Sequence, residues 1–239
     1  MNSPIQAKPL PLYLQISELL TRQIRAGHWR AGERLPTEAE LSESLGVAVG
    51  TLRKSLALMQ EQQVLERIQG SGTYVRSGNQ GKSIYEFFRL ELHDGPGLPT
   101  ARILSVDLVQ RGKGVPVLGP TAHPSAWRVR RLRLLNATPV ALEEIWFDAR
   151  QQPKLKPQDL GDSMYLFYQT AFKVWISRVE DHIYTAGVPS WTVSEFGLAP
   201  GSISGFIERQ SWTASGELAE FSRTWFDPQV CRYSSRLNN

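Results

Sequence analysis

Arginines on alternate positions are the first chemistry this chain offers. If Trp127–Leu135 is a strand, Val129, Arg131, Arg133 and Leu135 share one face, and Arg128, Arg130, Leu132 and Leu134 the other. A guanidinium on a mainly apolar face needs an anionic partner, because a buried unpaired charge is costly. Two partners meet that need. One is a carboxylate or phosphate ligand gripped by a bidentate fork. The other is an internal salt bridge from Arg131 or Arg133 to Glu143 or Glu220, and both hold if a ligand displaces the internal partner. A second constellation suits nucleic acid: Gly50, Thr51, Arg53 and Lys54, then Arg67, Gln69, Gly70, Ser71 and Gly72. Hydroxyl, guanidinium and small-residue backbone groups of this kind meet phosphates and base edges. Taken alone, Arg53 and Lys54 are better read as solvated helix charges.

Other chemistries find little support. His93, His123 and His182 stand apart with no recognisable nucleophile pairing, and Cys231 is the only cysteine, which leaves no intrachain disulfide and no cysteine zinc cage. There is no Gly-rich phosphate loop, dinucleotide fingerprint or internal repeat. No metal and no cofactor are expected. No apolar run nears the ~20 residues of a membrane helix, and Met1–Leu10 has no secretory pattern, so a reducing, cytoplasmic setting is expected. At 239 residues, two domains of unequal size fit. Net charge is +4, too modest to decide a partner, so the placement of the basic residues matters more.

The elements that must position these groups follow from periodicity. Tyr13, Ile16, Leu20 and Ile24 recur at three and four residues, which predicts a helix over about Leu12–Ala26 stopped by Gly27. Thr37 and Glu40 form a capping box before a short helix carrying Leu41 and Leu45 and ended by Gly46. A second helix runs from about Val49 to Gln62 with Leu52, Leu56 and Met59 inward. Val64–Gln69 and Thr73–Arg76 are β-prone runs around Gly70-Ser71-Gly72, a hairpin. Helix, capped helix, tight turn, helix and hairpin in this order are a winged helix-turn-helix.

Residues 11–76 resemble the DNA-binding domain of the GntR family of bacterial transcription regulators. The resemblance rests on Pro11-Leu12-Tyr13, Gln15-Ile16, Gly32-Glu33-Arg34-Leu35-Pro36-Thr37-Glu38, Leu41, Leu45-Gly46-Val47, Thr51-Leu52-Arg53 and Gln69-Gly70-Ser71-Gly72-Thr73-Tyr74-Val75. It implies DNA contacts from Thr37, Gly50, Thr51, Arg53, Lys54, Arg67, Gln69, Gly70, Ser71 and Gly72. Many members have Arg where Ala39 stands, Ser or Thr at Ala48 and Arg at Val49. Those arginines commonly meet guanine or phosphate, so here Thr51, Arg53, Lys54 and the wing carry more of the contact.

Residues 77–83 are polar and Gly-rich, which predicts a head over 1–76, a linker over 77–83 and a second domain over 84–239. In that domain a strand around Leu104–Leu108 is followed by the hairpin Trp127–Leu135/Val140–Phe147. A helix capped by Asp162 or Ser163 runs to about Phe172, a strand spans Val174–Ile183, and a short helix spans Pro189–Phe196. Strands Ile203–Thr213 and Leu218–Phe226 complete an antiparallel α+β domain. The six tryptophans from Trp127 to Trp225 are expected mostly in its core.

This half resembles the UTRA effector-binding domain, of chorismate-lyase-like fold, found in HutC-type GntR regulators. The carriers are Val129-Arg130-Arg131-Leu132-Arg133, Pro139-Val140-Ala141-Leu142-Glu143, Ser163-Met164-Tyr165, Pro200-Gly201, Ile207-Glu208-Arg209 and Glu220-Phe221-Ser222-Arg223-Thr224. The resemblance implies that Arg89, Arg131, Arg133, Glu143, Ser163, Tyr165 and Glu220 line or border a small-molecule pocket. The expected function is a sequence-specific DNA-binding repressor. It acts as a homodimer on a palindromic operator and is controlled by a carboxylate or phosphate effector. A lyase-like enzyme using the same pocket is the alternative, and a helical, metal-binding effector bundle is a third reading opposed by the hairpin turns.

Overall fold

The computed structural model describes residues 5–77, 83–120 and 123–236. The chain forms two compact units. One gathers Leu10–Phe88 with Asp94–Leu98, and the other gathers Met1–Pro9, Arg89–His93 and Pro99–Asn239. The division departs from the expected one at both ends. Residues 5–9 go with the sheet because β1 (Ile5–Gln6) pairs antiparallel with a later strand. The segments around 84–88 and 94–98 go with the helices because α1 (Leu12–Arg25) ties them down. Buried Arg22 donates from Nη1 to the Phe88 carbonyl, from Nη2 to Pro96 (2.8 Å) and from Nε to Gly97 (3.0 Å). Glu18 accepts from the Ser83 hydroxyl and the Ile84 N–H. Five of the seven predicted linker residues, 78–82, lie outside the described residues.

In the helical unit, α1 ends as its pattern predicts, with Arg22 and Arg25 in the last turn and Gly27 at φ +86°. The second helix, α2 (Glu38–Leu45), has the full capping box: Thr37 Oγ1 accepts from Glu40 N, and Glu40 Oε2 accepts from Thr37 N at 2.8 Å. Gly46 ends it at φ +64°, a left-handed turn disfavoured for residues with a side chain. Helix α3 (Val49–Glu61) follows, then β2 (Leu65–Ile68) and β3 (Gly72–Val75). Residues 32–35 lie alongside β3 through a single antiparallel bridge, Arg34 opposite Tyr74, with Gly32 N donating to Val75 O and Leu35 N to Thr73 O. Ile16, Leu20, Leu41, Leu52, Leu56, Met59 and Val75 close one core. Thr37→Ala should lower this unit's stability by about 1 kcal/mol, read as an earlier urea midpoint. An unchanged midpoint would show that the cap contributes nothing.

The sheet unit is a seven-stranded antiparallel sheet. Besides β1 it contains β5 (Pro99–Gln110), β6 (Ser125–Leu135), β7 (Thr138–Asp148), β8 (Ile176–Gly187), β9 (Ile203–Thr213) and β10 (Leu218–Phe226). Their order is β1-β5-β6-β7-β10-β9-β8, and a separate pair joins β4 (Leu90–Leu92) to β11 (Cys231–Tyr233). The β6–β7 turn is tighter than predicted: Asn136 and Ala137 both take positive φ, the geometry whose twist suits a two-residue hairpin. One face is covered by α4 (Met164–Phe167) and the π-helical turn Tyr168–Phe172, where one continuous helix was expected. Beneath them lie Trp127, Val129, Ile145 and Phe147. Leu132, Leu142, Phe206 and Trp225 belong to a cluster on the other face. The predicted helix at 189–196 is only a single turn, Ser194–Phe196, and β8 runs four residues beyond Ile183. Trp127, Trp146 and Trp225 are buried, but Trp175 is 57% exposed, against expectation.

Candidate functional site

The reading surface of the helical unit is built on α3. Leu52, Ser55, Leu56 and Met59 hold it down, and the Ser55 hydroxyl donates to the Tyr13 carbonyl at 2.8 Å. Val49, Gly50, Arg53 and Lys54 are exposed, Thr51 is half-buried, and nothing stands within 4 Å of where a Cβ on Gly50 would lie. Arg67, Gln69 and Gly70 are exposed on the wing. Gly70 (φ +75°) and Gly72 (φ +140°) take conformations that favour glycine, and the Ser71 hydroxyl meets the Tyr74 hydroxyl at 2.6 Å.

Two of the side chains expected to meet DNA also have partners within the protein. Lys54 Nζ sits 4.0 Å from the centroid of the Tyr13 ring, a cation–π contact toward α1. The Thr37 hydroxyl is engaged with Glu40. Glu38, which no spacing rule singles out, joins helix to wing: Oε2 accepts from Arg53 Nε at 2.6 Å, and Oε1 lies 3.7 Å from Arg67 Nη1. One carboxylate thus aligns both exposed guanidiniums.

In the sheet unit, strand register brings the predicted effector residues onto one face. Arg131 stands opposite Glu143, Glu220 opposite Ser211, and Arg209 opposite Asp181. Arg131 grips Glu143 Oε2 from Nη2 (2.6 Å) and Nε (3.0 Å). Arg133 Nε lies 3.7 Å from that oxygen, and its Nη1 donates to the Asp162 carbonyl at 2.6 Å. The internal salt bridge is therefore present, to Glu143. The Tyr165 hydroxyl meets Ser211 Oγ at 2.9 Å, while Ser163 caps α4 by accepting from Leu166 N. The charge of Arg89 is felt at Asp181 and Tyr233.

Sequence reasoning missed four side chains here. Arg209 holds Asp181 with two bonds of 2.5 and 2.6 Å, the Tyr233 hydroxyl donates to Asp181 at 2.7 Å, and the Tyr168 hydroxyl donates to Glu220 at 2.7 Å. Arg209 stood within a matching segment, but its face could be known only from the strand order. A cavity of about 20 Å³, room for one water, lies against Tyr168 and Phe172.

The carboxyls differ in charge. Burial pushes Glu143 up, but Arg131 and Arg133 outweigh it and hold it below the usual range. Asp181 is likewise lowered, its burial overcome by Arg209. Glu220 is pushed up to about 7 by burial, which the Tyr168 hydroxyl and Arg131 only partly offset. Protonation of Glu220 removes one negative charge from the face that carries Arg131, Arg133 and Arg209.

A pH signature follows. With its folded value above the ordinary 4.5, Glu220 binds its proton more tightly in the folded state. Stability from this group is fully present below about pH 4.5 and is lost as pH rises through about 7. The melting temperature of the sheet unit should fall between pH 5 and 7.5, and Glu220→Gln should flatten that fall. A slope unchanged in the variant would reject the assignment.

Comparison with known proteins supplies the family context. The model described as "Bacterial regulatory proteins, gntR family" matches residues 12–75, and the "UTRA domain" model matches 97–231. The HTH-type transcriptional regulator SmoD of Agrobacterium fabrum is 44% identical over 95% of this chain and 97% of its own length. The mannosyl-D-glycerate transport/metabolism system repressor MngR of Escherichia coli is 32% identical over 94% of this chain and 95% of its own. Among solved structures, the transcriptional regulator YydK of Bacillus subtilis has a TM-score of 0.55 at 18% identity, covering 96% of this chain and all of that one, a likeness of fold.

Proposed function

The chain belongs to the GntR family of bacterial regulatory proteins and carries a UTRA domain, and from that premise we propose a homodimeric repressor released from a palindromic operator by a small anionic effector. Its relatives are transcriptional regulators and not enzymes, and this chain is a DNA-binding regulator of the same kind. The observation that carries the effector reading is the gathering of guanidiniums on one sheet face, Arg131 and Arg133 buried and Arg209 partly buried. An entering carboxylate or phosphate competes with Glu143 and the Asp162 carbonyl for the forks of Arg131 and Arg133, while Tyr165, Ser211 and Glu220 offer hydroxyl and carboxyl partners. An anion that also bears hydroxyls would engage both the guanidiniums and the hydroxyls of Tyr165 and Ser211. MngR is named for mannosyl-D-glycerate, a sugar carrying one carboxylate, and that chemistry suits this site.

Regulation is then a difference in effector affinity between states that bind DNA and states that do not. Thr51, Arg53, Arg67, Gln69 and the Gly70-Ser71-Gly72 tip supply the DNA contacts, with Thr37 and Lys54 at the margin. For the dimer, the twelve-residue edge strand β8, with Ile183 and Tyr184 about half exposed, offers an unpaired backbone edge for a second copy. Among the described residues no helix is long and apolar enough to cross a membrane, which is consistent with action in the cytoplasm. The test is a thermal-shift screen of small anions, sugar carboxylates and sugar phosphates among them, with hits retested for release of DNA. A true effector raises the melting temperature by mass action. A panel that leaves the melting temperature unmoved would count against an anionic effector.

A further inference from the structure

Val49 is the first residue of α3 and is 36% exposed, outside the core cluster that takes up Val47 two residues earlier. A β-branched apolar side chain in that place keeps part of its surface open and is a mediocre helix former. At about 100° per residue, Val49, Arg53 and Ala57 fall within roughly 80° of helix surface, and all three are exposed. The neighbours Ala48 and Gly50 are small, and open space lies beside Gly50, so this turn can approach a base edge closely. Arg53 is aimed by Glu38, which takes its Nε at 2.6 Å and leaves the terminal Nη pair for DNA. The exposed arc thus offers one guanidinium fork, flanked by the solvent-facing methyl groups of Val49 and Ala57.

In the major groove the edges of all four bases are lined with donors and acceptors, and the one apolar feature is the C5 methyl of thymine. We infer that Val49 reads a thymine methyl, so that each operator half-site contains a thymine recognised by contact and not by hydrogen bonding, beside the base or phosphate that Arg53 engages. The inference rests on the DNA-reading role of α3. It makes Val49 a specificity residue and Glu38 a positioning residue for Arg53.

The test begins with selection of binding duplexes from a random pool by the full-length protein. Each thymine of the enriched duplex is then replaced in turn by deoxyuridine, which removes only the methyl group, and binding is followed by fluorescence anisotropy. One thymine per half-site should lose about three- to fivefold in affinity, the worth of one buried methyl group. Val49→Ala, which keeps a good helix former at an exposed position, should weaken the thymine duplex by a similar factor and be indifferent to the deoxyuridine exchange. Wild-type binding that ignores every exchange overturns the inference, as does a penalty of equal size in Val49→Ala. A selection that enriches no sequence overturns the reading role of α3 itself, which separates the two failures.

Discussion

Glu143→Ala should destabilise the sheet unit by about 3–5 kcal/mol, the largest effect expected of any single polar substitution in this protein. Arg131 and Arg133 are both nearly inaccessible, and Glu143 is the carboxylate that faces them. Removing it leaves two guanidiniums in a region of low dielectric with the Asp162 carbonyl as a shared acceptor. The loss is a penalty of exposing unpaired charge to a dry interior and not a measure of what the salt bridge contributes, so Glu143→Leu combined with Arg131→Leu should recover part of it. Urea unfolding followed by the tryptophans of the sheet unit reads both. A Glu143→Ala loss below about 1 kcal/mol would mean that water reaches the arginines freely, contrary to their burial. The same variant should respond less specifically to anions in the thermal-shift assay, because its guanidiniums no longer have an internal competitor.

Arg53→Ala should cost operator affinity about 10- to 100-fold with a stability change within about 0.5 kcal/mol. Glu38 sets the size of this loss. In the wild type its carboxylate is partnered by Arg53 and borders Arg67 on the wing. Loss of Arg53 removes a fork from the DNA surface and also leaves a carboxylate facing phosphates. The ion pair itself is largely exposed and contributes little to folding. Arg53→Lys should rescue poorly, since an ammonium cannot bond Glu38 and a base edge in the same planar geometry. Unchanged affinity of Arg53→Ala in a gel-shift titration would remove α3 from the interface.

What could be read from the residues beforehand depended on whether the signal was local. The capping box at Thr37, the left-handed end at Gly46, the hairpin tip at residues 70–72 and strands β9 and β10 are written in neighbouring positions, and they fold as expected. Alternation alone placed Arg131 and Arg133 on one face, while the choice between Glu143 and Glu220 as partner stayed open until the register set Arg131 opposite Glu143. Arg209, Asp181 and Tyr168 were not legible as partners, because their meeting depends on β10 inserting beside β7 and carrying β9 and β8 with it. The same holds for Glu38, whose partners lie on another helix and on the wing. The attachment of residues 84–88 and 94–98 to the helical unit has a related cause. Arg22, which no local pattern singles out, donates to the backbone carbonyls of Phe88, Pro96 and Gly97 and ties those residues to α1.

The two units meet functionally in a single titration. A selected operator duplex is bound by full-length protein and followed by fluorescence anisotropy, without and with an anion that raises the melting temperature. Sequence-selective binding that weakens at least about tenfold with the anion, and that keeps its strength but loses this response in Arg131→Gln, is the expected outcome, a coupling of ordinary size for an allosteric protein. Binding indifferent to sequence, or undiminished by every anion that stabilises the protein, would contradict an effector-controlled DNA reader.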